Sequence, residues 1–203
     1  MWPLGEYDRL VHEIKKRENL NKPVTFGLLI ADYRNPLCKT YILDYISRFD
    51  YKSDKYINFY LPGYLEEDSI WKKDKIKIKG KQYYFNDEKY MEFLNKLERD
   101  FSIDYPYNPT LILLEYDKGN FNKSKRIIIE LDSEGSDIKK VGNLLERIFE
   151  IAKIENNLLN IQKKLRKDEF KNGLFEAIVV GIDNGIISSL YKTAKSNYKY
   201  KLN

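Results

Sequence analysis

One cysteine, one histidine and two methionines are present among 203 residues, and alanine stands only at positions 31, 152, 177 and 194. Cys38 therefore has no second thiol for an internal disulfide. With His12 as the sole histidine, the chain cannot assemble a conventional Cys/His zinc site. Ser-His-Asp and Cys-His catalysis are poorly supplied for the same reason. No apolar run reaches the ~18–20 residues that a membrane-spanning helix needs. Met1–Leu10 is mixed and polar, unlike a signal peptide. These absences lead to the expectation of a cytoplasmic protein with no cofactor signature, for which an enzyme is the less favoured class.

What is present is an apolar content of 42%, sufficient for one core or for one domain plus a helical extension, set against 33% charged residues. The formal charge of +5, with 17 Tyr and 10 Phe able to stack on bases, raises the question of nucleic acid. Acidic residues interrupt the basic ones almost everywhere, which argues against a continuous basic stripe. Abundant Lys, Asn, Ile and Tyr with scarce Ala is also the pattern of an AT-rich, bacterial coding genome. Nucleic acid thus ranks below protein as the expected partner.

The chain divides by periodicity. Glu6–Asn19 places Tyr7, Leu10, Val11 and Ile14 on one helical face, and Asn21-Lys22-Pro23 punctuates it. Val24–Ala31 is a continuous apolar run, the mark of a strand covered on both faces. Asp32-Tyr33-Arg34-Asn35-Pro36 then turns the chain into a helix over Leu37–Phe49, and Tyr56–Tyr60 reads as a second, parallel strand. Tyr64–Asp74 reads as an inserted loop or single turn. Lys75–Phe85 alternates and breaks at Gly80, as a hairpin does. A helix over Asp87–Phe101, N-capped by Asp87, buries Tyr90, Met91, Phe93, Leu94, Leu97 and Phe101. Thr110–Tyr116 and Arg126–Asp132 form an antiparallel pair across a polar connector, Asp117–Lys125. A long helix capped by Ser136 and Asp137 follows, and its pattern runs on through Asn156 and Asn157 to Phe170. Leu174–Tyr191 reads as two short packing elements around Asp183-Asn184-Gly185, and the last dozen residues as a basic tail.

Set in order, these elements run strand, helix, strand, insertion, helix, strand, strand, helix. Over roughly Pro23–Ile154 the chain resembles the thioredoxin-like fold. Three features carry the resemblance. Asp32–Lys39 looks like a degraded Trp-Cys-Gly-Pro-Cys-Lys loop, Pro109 stands where that family keeps its cis-proline, and the last two strands form a hairpin. The resemblance implies a three-layer α/β core, a central mixed sheet flanked by helices. It aligns Cys38 and Lys39 with the family's second cysteine and the lysine after it. Leu37 separates Pro36 from Cys38, and Arg34 or Asn35 stands where the attacking cysteine belongs. Dithiol exchange needs a low-pKa thiolate and a resolving thiol, so only monothiol chemistry at Cys38 remains on this route. The competing expectation for Cys38 is a small apolar side chain packed inside the helix.

Other candidate sites are weaker in pattern. Asp32, Tyr33, Arg34 and Asn35, at the carboxyl end of the first central strand, are candidates for binding an anion or nucleotide, or else they tie their own turn together. Glu115 with Asp117, and Glu130 with Asp132, are same-face carboxylate pairs of the kind that hold divalent metal, although Glu115-Tyr116-Asp117-Lys118 lacks the usual nuclease spacing. His12 has no nucleophile near it in sequence. The expected organisation is a leading helix over 1–22, an α/β core over 23–154 and a helical extension with a basic tail over 155–203. The expected role is a binding or regulatory module that engages a protein partner or a second copy through the extension. The alternatives are a monothiol redox protein, and a nucleotide or nucleic-acid binder using Asp32, Arg34 and the tail.

Overall fold

Seven strands form one mixed sheet in the computed structural model, which describes residues 1–17, 23–40, 46, 50, 57–66, 75–103, 109–130, 146–152, 154–155, 157–172, 175–176 and 199–202. The strands are β1 (Trp2–Leu4), β2 (Val24–Ile30), β3 (Asn58–Pro62), β7 (Thr110–Asp117), β8 (Asn120–Glu130), β9 (Phe175–Glu176) and β10 (Lys199–Leu202). Their order across the sheet is β1-β3-β2-β7-β8-β10-β9. β3 runs parallel to both β1 and β2, while β7 is antiparallel to β2 and to β8. A smaller antiparallel sheet comprises β4 (Tyr64–Leu65), β5 (Lys75–Ile78) and β6 (Lys81–Phe85), with β6 in the middle.

Helices cover both faces of the large sheet. On one face lie α1 (Tyr7–Lys16) and α2 (Asp87–Phe101), joined by an edge-on contact of Tyr7 with Phe93 and by a 2.9 Å hydrogen bond from the Tyr7 hydroxyl to Asp100. Phe101 of α2 meets Phe121 of β8, whose ring also packs against Phe26 and Tyr116. On the other face the helical segment over 146–152 sets Phe149 edge-on to Phe59 at 5.0 Å. The same face carries α3 (Leu158–Asn172), whose first amide, that of Leu158, donates to the buried Glu115 carboxylate at 3.0 Å. A continuous apolar strand is what two covered faces require. In β2, Phe26, Leu28, Leu29 and Ile30 are all buried.

Gly27 makes this centre possible. It pairs with Phe59 across the β2–β3 ladder, and a Cβ at position 27 would stand 2.3 Å from the Phe59 ring. Gly63, at φ +82°, turns the chain from β3 into β4. Its amide donates to the Leu4 carbonyl and its carbonyl accepts from the Asn86 amide, so β1, β3 and the start of α2 meet there.

Several expectations need correction. Trp2–Leu4 is a strand, too short for periodicity to reveal. Within the segment read as a loop or turn, Tyr64 and Leu65 pair with Phe85 and Tyr84. Asn86, rather than Asp87, caps α2, its side chain accepting from the Lys89 amide at 3.0 Å. Met91 is 39% exposed because it falls off the inner stripe of α2. The polar connector after β7 is mostly strand, since a Lys118-Gly119 turn with both φ values positive closes the hairpin at once. Asn157 interrupts the helix expected to run through it and caps α3, accepting from the Asn160 amide at 2.9 Å. Residues 199–201 of the expected tail pair in parallel with β8. The helical turn over 36–40 and the helical residues 46 and 50 agree with the helix expected over Leu37–Phe49. The capping pair Ser136 and Asp137 and the turn at Asp183-Asn184-Gly185 lie outside the described residues.

Replacing Gly27 with alanine forces Phe59 out of its site. We expect Gly27→Ala to lower stability by about 1–3 kcal/mol, read as a drop in urea midpoint, and Phe59→Leu in the same chain to recover part of that loss.

Candidate functional site

The carboxyl end of β2 collects most of the residues singled out in the sequence. Ile30 pairs with Thr110, which places the Asp32–Asn35 loop beside the buried Pro109 at one end of the sheet. The loop is held by its own side chains. Arg34 forms a two-pronged contact with Asp32, Nε to Oδ1 at 2.9 Å and Nη2 to Oδ2 at 2.6 Å, and the Arg34 amide also donates to Asp32 Oδ1. The third arm of the guanidinium, Nη1, reaches Asp87 at the start of α2 at 3.2 Å. Asn35 accepts from the Leu37 amide at 2.9 Å and so starts the helical turn. Asp32 thus acts as a turn-forming residue and Arg34 as a strap across to α2.

Beneath the loop lies an aromatic floor that sequence reading missed. Tyr33 is buried, stacked with Phe85 at 6.2 Å and edge-on to Tyr64 at 6.5 Å, while Phe85 also meets Tyr64 and Tyr90. Phe85 and Tyr64 belong to the small sheet, so the insertion after β3 serves to pack the underside of this loop. Lys39 closes the outer side, its ammonium 4.6 Å from the Tyr33 ring. The signal available in sequence was the bare presence of aromatics at 64, 85 and 90; nothing local told where they meet.

Cys38 sits in the same packing at 1% exposure. Burial pushes its thiol up from 9.0 to about 12, with the Asp32 charge adding to the shift and backbone hydrogen bonding opposing it. The thiolate needed for redox or nucleophilic chemistry is therefore suppressed in the folded chain. The Tyr64 hydroxyl, buried in the same cluster, has no hydrogen-bond partner among the described residues, and burial raises its pKa well above the usual tyrosine value.

The acidic candidates stand elsewhere and do different work. Glu115 is 2% exposed at the opposite end of β2. It accepts from the Leu158 amide at 3.0 Å and from Asn122 at 3.1 Å, with the Lys125 ammonium 3.5 Å away. A buried carboxylate at a helix start and beside a lysine is a structural anchor, complementing the helix dipole. Asp117 lies at the hairpin turn, paired with Asn120, whereas Glu130 lies at the far end, paired with Thr110. The hairpin register thus separates Glu115 and Asp117 from Glu130 by the length of the strand, and Asp132 lies outside the described residues. Among the described residues no group of three or more His, Cys, Asp or Glu side chains is placed to hold a metal ion. His12 is exposed on α1, away from the loop.

Against known proteins the similarities are narrow. No family model matches the chain, and no solved structure matches it. Two curated proteins do. Both are the tRNA uridine 5-carboxymethylaminomethyl modification enzyme MnmG of Ureaplasma parvum serovar 3, from two strains, and each is 32% identical over 155 residues, covering 70% of this chain and 25% of the relative. The chain spans about a quarter of the length of these relatives.

The raised thiol pKa has a consequence for stability. Above pH 9 the unfolded chain loses the Cys38 proton while the folded chain keeps it, so stability falls as pH rises from 9 toward 12. Between pH 9 and 10, below most tyrosine titration, we expect Cys38 to account for a loss of about 1 kcal/mol. Urea unfolding of the wild type and of Cys38→Ala should show the gap between them narrowing across that window, whereas parallel curves would contradict the assignment.

Proposed function

We propose that this chain is a thioredoxin-like module that binds a partner and carries no dithiol chemistry. The order β3-β2-β7-β8, with β2 parallel to β3 and antiparallel to β7, supports the thioredoxin-like reading. So do the loop-to-helix turn after β2, the proline immediately before β7 and the helices on both faces. The observation that carries the functional half is the burial of Cys38 at 1% under a loop fastened by the Asp32–Arg34 fork. A reactive monothiol must be exposed and easily ionised, and this one is neither.

In this reading the Asp32–Asn35 loop is a rigid display element. Its partner is a protein or a second copy of the chain, docked through the C-terminal extension, where the apolar stretch 177–191 lies outside the described residues. Action in the cytoplasm belongs to the same proposal; among the described residues no helix is long and apolar enough to cross a membrane.

A second reading, nucleic-acid binding, is favoured by one observation, the similarity to enzymes named for tRNA uridine modification. The Asp32–Arg34 loop supports it poorly, because Arg34 is engaged by Asp32 and Asp87.

Alkylation of the native protein with iodoacetamide tests the first reading. We expect no reaction at Cys38 from pH 7 to 9 and rapid reaction once urea unfolds the chain. Fast native labelling with an apparent pKa below ~8.5 would overturn it in favour of monothiol redox chemistry.

A further inference from the structure

We propose that the outer edge of β8 over Arg126–Glu130 is a self-association surface that pairs antiparallel with the same edge of a second copy, and that β10 is the intramolecular guard covering it. The proposal rests on the self-association half of the reading above and gives it a surface and a register.

The edges of the large sheet are unequal. At β1, the Leu4 carbonyl turns inward to accept from the Gly63 amide at 2.9 Å, so alternation turns Pro3 outward, where it has no N–H to offer an incoming strand. On β8, Leu114 pairs with Arg126 and Tyr116 with Phe121, so Asn122–Lys125 have only Glu115 opposite them. Such a bulge, with Lys123 exposed, spoils that part of the edge for pairing. Arg126–Glu130 is regular, pairing residue by residue with Leu114–Thr110, and it reads Arg-Ile-Ile-Ile-Glu. Among the described strands β10 alone lies along its outer side, and it covers only Ile128, Ile129 and Glu130.

This run is complementary to itself. Antiparallel pairing centred on Ile128 sets Ile127 against Ile129 and position 126 of each copy against position 130 of the other, giving two opposite-charge pairs about one two-fold axis. Alternation puts positions 126, 128 and 130 on one face, the α2 side, where Arg126 donates from Nη1 to the Phe101 carbonyl. β10 repeats the charge pairing in register, since it places Lys201 beside Glu130, where Arg126 of the second copy would stand. The guard pairs three residues in the parallel mode, which holds slightly less firmly per residue, whereas the second copy offers all of Arg126–Glu130 antiparallel. Covalent linkage through residues 177–198 offsets this, giving β10 an effective concentration on the order of millimolar. Guarded chains therefore stay monomeric at micromolar concentration, and displacing β10 opens the edge.

The test releases the guard in the full chain. Lys201 pairs with Glu130 on one side and Glu176 on the other, so Lys201→Pro removes a ladder amide from β10 and leaves β8 intact. Light scattering at micromolar concentration should give 24.3 kDa for the wild type and twice that mass for Lys201→Pro. Glu130→Lys added to Lys201→Pro sets like charges opposite at both pairs and should weaken the dimer by about tenfold. Register is read by cysteine in a Cys38→Ala, Lys201→Pro chain. Ile128→Cys, on the two-fold axis, should form a disulfide-linked dimer on oxidation with copper phenanthroline, whereas Glu130→Cys, facing position 126, should not. A Lys201→Pro chain that stays monomeric with an unchanged circular dichroism spectrum would overturn the proposal and leave the reading above to a protein partner. A wild-type dimer unaffected by Lys201→Pro would overturn the guarded edge while leaving self-association standing at another surface. Should Lys201→Pro fail to fold, Cys38→Ala, Ile128→Cys with β10 intact decides the matter. Its cross-linked dimer should grow with chain concentration, and none up to the millimolar range would overturn the proposal.

Discussion

β2 is hemmed in on every side. β3 lies against one edge and β7 against the other, α1 and α2 lie above it, and the helices after residue 145 lie below. Over Phe26–Ile30 a strand in that position can carry no exposed face, so those residues have to be apolar, and where the Phe59 ring crosses it the side chain has to vanish altogether, as it does at Gly27. Parallel pairing with β3 obliges the chain to cross over before returning, which fixes where the loop after Ile30 emerges. Antiparallel pairing with β7 brings Pro109 to the same end of the sheet and Glu115 to the other.

That geometry explains why the loop looks like a site and does not behave as an open one. It emerges where α/β sheets commonly bind ligands, at the carboxyl end of a central strand. Its polar groups, however, are spent internally: Asp32 on Arg34, Arg34 on Asp87, and Asn35 on the helix start. Its apolar groups are covered by the small sheet, through Phe85 and Tyr64. Cys38 is enclosed by the same packing, which raises the cost of ionising it. The fastening of the loop and the suppression of the Cys38 thiolate thus share one cause.

Much of the scaffold was legible in the sequence. The seven-residue apolar strand, the 3.6-residue stripe of Tyr90, Phe93, Leu94, Leu97 and Phe101, and the Gly80 break in an alternating run each express a single local rule. The elements that escaped are those whose existence depends on a distant partner. Trp2–Leu4 is a strand because β3 offers it an edge, and Tyr64–Leu65 because β6 does. The same limit applied to the candidate sites. Glu115 reads as a metal-binding carboxylate until the amide of Leu158, 43 residues later, is placed against it.

β2 and its two neighbours should be the last part of the molecule to open, and native-state amide hydrogen exchange measures that directly. The amides of Phe26–Leu29 and Leu111–Leu114 should exchange slowest, with an opening free energy equal to that of global unfolding. Exchange of the β2 amides ahead of those in α1 or the β5–β6 hairpin would contradict the central position assigned to this strand, and with it the placement of the loop.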